Sequence, residues 1–109
     1  MKLYPRHLLA FIIAPGMAIA MDARSFTLKI KDHRFEPVEI TVPSGEKVKL
    51  VVENQDAQTE EFESHDMHVE KLVKGGKSIT VFVGPLKPGS YHFFGERHED
   101  TAQGRLIAK

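Results

Sequence analysis

The 109-residue chain contains no cysteine. That one absence removes disulfides, a lipid-attachment thiol, a thiolate nucleophile and a thiolate metal ligand, so stability must come from a packed core. Long apolar runs are missing too. The N-terminal stretch Leu8 to Ile13 is far short of the roughly 20 residues that cross a bilayer core, and Pro15 stands just beyond its end. No serine lies in a G-x-S-x-G context and no glycine loop has phosphate-binding spacing, so the sequence signatures of a nucleophile elbow and a nucleotide site are absent. No excess of one charge exists either, with 15 basic against 15 acidic residues, and nothing marks a nucleic-acid or anionic-membrane partner. Repeats, low-complexity tracts and linkers are absent, and a chain of 12.3 kDa holds one small domain.

The residues that are present begin with a leader pattern. Lys2, Arg6 and His7 precede the apolar run, and Pro15-Gly16 and the small-residue pattern Ala18-Ile19-Ala20 come after it. That order predicts a secretory signal peptide over residues 1–20 and a soluble, exported domain over 21–109. Loss of Lys2 and Arg6 leaves 13 of the 15 basic groups against 15 acidic ones, a net charge of −2.

From Ser25 onward apolar residues alternate with polar ones, the period of half-buried strands. Phe26, Leu28 and Ile30 form one set, Val38, Ile40 and Val42 a second, and Val48, Leu50 and Val52 a third. Further strands are predicted at residues 69–73, 77–83, 90–94 and 104–108, with turn chemistry at Pro43-Ser44-Gly45, Gly75-Gly76 and Gly84 to Gly89. The fold class is all-β, an antiparallel Greek-key sandwich. An immunoglobulin-like module would share this pattern, so function has to be argued from particular residues.

Phe35-x-Pro37, Ile40-x-Val42-x-x-Gly45 and Val48 leading to Asn54 resemble the first half of a cupredoxin. Pro88-Gly89-x-Tyr91-x-Phe93, then a loop holding His98 and closing at Gly104, resembles its second half. In that family copper is held by a histidine soon after the strand ending in Asn, and by Cys, His and usually Met in the last loop. Laid on this chain, the resemblance puts Gly95 at the cysteine, His98 near the loop histidine, Ala102-Gln103 at the methionine and Glu60-Glu61-Phe62-Glu63 at the upstream histidine. Without the thiolate, blue-copper electron transfer is not expected.

These departures, with Glu60 to Ser64, Glu70-Lys71, Phe93 to Glu96 and Ala102-x-Gly104, resemble the cysteine-poor cupredoxin-like proteins of bacterial iron uptake, the EfeO-type cupredoxin domain. The resemblance implies a periplasmic role beside an iron permease, with an iron or copper ion bound and Fe(II) oxidation or delivery assisted.

The residues carry a chemistry of their own. In an extended segment Glu61 and Glu63 project together while Phe62 goes the other way. Glu96 and His98 are likewise two apart, beside Glu99 and Asp100. If the fold brings these connections to one end, carboxylates face an imidazole, a hard set suited to iron, manganese or Cu(II). A softer set, His65, Met67 and His68, comes just after the acidic strand and would suit copper; alternatively Met67 fills the core. His33, His92, Tyr91, Phe93 and Phe94 read as structural. The candidate metal ligands are therefore Glu61, Glu63, His65, Met67, Glu96 and His98. Three functions stay open: a metal-binding protein of iron uptake, a copper-binding, copper-tolerance or copper-dependent ferroxidase protein, and a structural module with a vestigial site. A homodimer with ligands crossing its interface is also left open.

Overall fold

The computed structural model describes residues 23–109; the leader pattern at 1–20 lies outside them. Nine strands run in order: β1 Arg24–Lys31, β2 Arg34–Glu36, β3 Glu39–Val42, β4 Val48–Asn54, β5 Glu60–Ser64, β6 Val69–Val73, β7 Ser78–Val83, β8 Gly89–Gly95 and β9 Gln103–Ala108. A 3-10 turn over Glu96–His98 sits between the last two. The strands form two facing sheets, ordered β2-β1-β4-β7 and β3-β9-β8-β5-β6.

The expected alternation is realised where it matters. Leu28, Ile30, Val48, Leu50 and Val52 of the first sheet are each at most 1% exposed and meet Phe62, Phe93 and Leu106 of the second. Phe35, Phe62 and Phe93, from β2, β5 and β8, form a mutually edge-on or tilted cluster with centroids 4.9 to 6.0 Å apart. Such contacts add about 0.5–1.5 kcal/mol each beyond the area they bury. Because β5 alternates, the face that buries Phe62 also buries Glu60, whereas Glu61 and Glu63 lie on the other.

Three expectations need correction. The sandwich is mixed rather than antiparallel: β1 pairs β4, and β3 pairs β9, in parallel. A hairpin turn cannot join parallel partners. Here the chain leaves β1 through β2, changes sheets to form β3, and then returns as β4 beside β1. The strand β2 itself is an addition, since three residues are too few to show alternation. Val38 is not inward; it is 62% exposed because β3 begins only at Glu39, after Pro37, which has no N–H to continue a ladder.

The β1–β2 turn has a specific cause. Asp32 and His33 both adopt left-handed φ values, 52° and 59°, a conformation non-glycine residues seldom take. The Asp56 carboxylate accepts both of their backbone N–H groups, at 2.8 and 3.0 Å. That double cap holds the His33 ring over the last loop.

Candidate metal centre

The loop after β8 is closed by its own backbone. Gly95 N–H donates to Ala102 O at 2.9 Å, and Ala102 N–H donates to His98 O at 2.8 Å. The Thr101 hydroxyl donates to His33 O at 2.6 Å, tying the loop to the β1–β2 turn. His98 is thereby fixed at the pole of the sandwich, where its Nδ1 lies 2.6 Å from Glu60 Oε2. Glu60 is 2% exposed. Its other oxygen accepts the backbone N–H groups of Glu61 and Arg97, at 2.9 and 2.8 Å. With the carboxylate accepting, the imidazole carries its proton on Nδ1. His33 stacks flat on the His98 ring, centroids 3.5 Å apart and 11° from parallel, while its Nε2 pairs with Gln58 Oε1 at 3.0 Å.

On the outer face of the second sheet a different group assembles. Glu61, Glu63 and Glu70 each offer a carboxylate oxygen, and these oxygens lie within 4.8 Å of one another. The β5–β6 register places Glu63 directly opposite Glu70, an arrangement of like charges that destabilises a bare sheet. Glu61 responds: a side-chain hydrogen bond to Glu70, desolvation, and the negative charges of Glu70, Glu96 and Glu63 hold its pKa above the ordinary 4.5. His65 Nε2 lies 2.8 Å from Glu63 Oε2. A cavity of about 310 Å³ beside the carboxylates is lined by Glu63, His65, His68 and Glu70 among others.

The candidate ligands thus separate. Glu61 and Glu63 share a face as expected, with Glu96 close enough to act on Glu61 and His65 bound to Glu63. His98 lies at the pole, where the carboxylate facing it is Glu60. Met67 is 9% exposed and joins the core, so its sulfur and the exposed rings of His65 and His68 part company. Two partners escape a reading of the sequence. Glu60 is signalled by period two from Phe62, which places it inward. Glu70 is signalled by the short turn between Ser64 and Val69, which sets Glu63 opposite it. Phe94 is buried but outside the core cluster, on the outer face between the rings of His65 and His92, each 5.4 Å away.

Known proteins of similar sequence and fold bear on this site. The chain belongs to the cupredoxin-like domain family, whose model matches residues 7–108. An uncharacterised protein of Rickettsia prowazekii (strain Madrid E) is 50% identical over 80 residues, which cover 73% of this chain and 64% of that relative. This chain therefore spans less than two thirds of the curated relative's length. Among solved structures, auracyanin A, a "blue" copper protein of Chloroflexus aurantiacus, superposes with a TM-score of 0.70 at 16% identity, covering 81% of this chain and all of the other. The metal-binding domain of the Cu(I)-exporting P-type ATPase of Streptococcus pneumoniae D39, solved with Cu(I), gives 0.67 at 9% identity, covering 78% and 84%. These likenesses establish the fold, and both neighbours are copper proteins.

A blue-copper centre does not fit this chain. No cysteine exists to supply the thiolate. A Cβ built on Gly95, the position where the resemblance expects the cysteine, would also lie 2.8 Å from Glu60 Cδ and 2.8 Å from Ala102 Cβ, so a side chain there would meet the Glu60 carboxyl.

Proposed function

We propose that this protein binds a metal ion through Glu61, Glu63 and Glu70 and serves metal handling outside the cytoplasm, as an accessory of bacterial iron uptake. The supporting observation is the convergence of three carboxylates within 4.8 Å on one sheet face. Left bare, the group is held together against its own repulsion; a cation bridging it relieves that repulsion. Oxygen ligands of this kind suit iron, manganese or Cu(II) over Cu(I). His65 orients Glu63 and supplies an imidazole at the rim. The leader pattern, and the resemblance of the acidic stretches to those of iron-uptake cupredoxins, favour an exported protein working beside an iron permease.

A second reading has its own support. The cavity that places His65 and His68 beside Glu63 and Glu70 mixes nitrogen with oxygen donors, a set suited to Cu(II), as in copper tolerance or copper-dependent iron oxidation. Titration of the purified protein with Fe(III), Mn(II) and Cu(II), for wild type and for Glu63→Ala, decides between them. Iron or manganese binding abolished by Glu63→Ala supports the first. Binding of Cu(II) alone, lost in His65→Ala, supports the second, and no binding by the wild type rejects both.

A further inference from the structure

The pole of the sandwich contains a different device. In blue-copper proteins a metal cross-links the strand after the Asn-ended strand to the final loop. Here the Glu60 side chain joins the same segments. Glu60 reaches from β5 to Arg97 N–H and His98 Nδ1 of the last loop, with a further hydrogen bond to its neighbour Glu61. His98 carries the connection on to His33, which is stacked on it and pinned through Gln58 and Asp56. We infer that the Glu60–His98 pair is a permanent clasp that replaces the copper ion as the cross-link of this pole, so that this end of the protein takes up no metal.

Three observations exclude the opposite arrangement, in which Glu60 merely orients His98 as a ligand. The only ring nitrogen left to His98 is Nε2, and the adjoining cavity of about 400 Å³ is lined by Gln58, Thr59, Arg97 and His98. None of the other three offers a carboxylate or imidazole, and the Arg97 guanidinium repels a cation. His33 lies parallel to His98 at 3.5 Å, so the in-plane lone pairs of the two rings run side by side instead of converging on one ion. Among the described residues the group of three acidic or imidazole ligands with mutual reach is on the outer sheet face. The clasp also explains Gly95. A side chain there would collide with the Glu60 carboxyl and with the Ala102 Cβ, so Glu60 and a ligand at position 95 compete for the same space.

The test uses Zn(II) and the imidazole NMR signals of the full chain. The clasp predicts a His98 ring in the Nδ1–H form whose signals stay fixed as Zn(II) is added, in the wild type and in Glu61→Gln/Glu63→Gln/Glu70→Gln alike. Stoichiometric Zn(II)-dependent shifts of His98 in that triple variant overturn it. The acidic face is read by its own resonances, so zinc binding there leaves the clasp untouched, while the proposed function stands or falls on the Fe(III), Mn(II) and Cu(II) titrations. A gain-of-site experiment gives a second reading. Glu60→His with Gly95→Cys, both in an Ala102→Gly background that removes the other atom a side chain at 95 would meet, should bind Cu(II) with an intense visible thiolate-to-copper band, while Gly95→Cys in that background with Glu60 retained should show none. The band with Glu60 retained would show that Glu60 does not hold the space, and would overturn the proposal.

Discussion

Glu60 and His98 are 38 residues apart in the chain and meet through a 2.6 Å contact between Oε2 and Nδ1, the carboxylate being almost wholly buried. Burial makes the pair consequential for stability. Truncation by Glu60→Ala removes the shared acceptor of two backbone N–H groups and of the His98 Nδ1–H. Leaving a buried donor unsatisfied costs about 1–3 kcal/mol, and because these donors are only part-buried a total loss of about that size is expected in urea unfolding. Glu60→Gln keeps an acceptor oxygen and should recover part of it. Equal stability of Glu60→Ala and wild type would contradict the geometry.

Metal affinity should depend on the other face. Glu63 is central there, facing Glu70 across the β5–β6 ladder and His65 through a 2.8 Å contact. Loss of an outer-shell partner typically lowers metal affinity about 10- to 100-fold. Glu63→Ala, which removes a ligand, should exceed that, while His65→Ala should fall within it. Calorimetric titration with Fe(III) and Mn(II) measures both; similar affinities for wild type and Glu63→Ala would rule out this face.

The pH dependence arises from Glu61. Its pKa is raised in the folded protein, through its hydrogen bond to Glu70 first, then desolvation and the neighbouring charges. The folded state therefore holds this proton more tightly than the unfolded chain, and stability falls as pH rises between the unfolded and folded values. The contribution is fully present below the ordinary value of 4.5 and is lost as the pH climbs through the folded value. Thermal unfolding of the metal-free protein against pH, wild type minus Glu61→Gln, should show a negative slope beginning near that value. A flat or rising difference would refute the assignment. Saturating metal should abolish the slope, since a bound cation displaces the proton.

Much of this is legible in the order of the residues. Alternation places Leu28, Ile30, Leu50 and Val52 in the core, and period two separates Glu61 and Glu63 from Phe62. The family resemblance places His98 in the last loop. Other features depend on pairings that sequence spacing does not reveal. The parallel partnerships of β1 with β4 and β3 with β9 arise from a chain that changes sheets at Pro37, and β2 is too short to carry a period. Met67 resembles a soft ligand beside His65 and His68 because local sequence does not show that its side chain turns inward. Glu60 is hidden by a different rule: glutamates are seldom buried unless paired, and its partner is 38 residues away.

Packing at the opposite side of the aromatic cluster gives the last test. Gly104 on β9 pairs with Phe93 on β8. A Cβ built on Gly104 would lie 2.3 Å from Phe93 Cε1, 2.5 Å from Cζ and 2.9 Å from Val38 O. Phe93 has little freedom to retreat, because Phe35 and Phe62 pack against it at 4.9 and 5.5 Å, and Val38 O is backbone. Gly104→Ala should therefore cost about 1–3 kcal/mol, the usual range for an overpacked core. Phe93→Leu in the same chain should restore part of the loss, because the atoms that collide are removed, giving a non-additive cycle in urea unfolding. Additive losses would show that the ring is not what the new methyl meets. Metal titration should be unchanged in Gly104→Ala, since the carboxylates of Glu61, Glu63 and Glu70 stand on β5 and β6, on the outer face of the sheet.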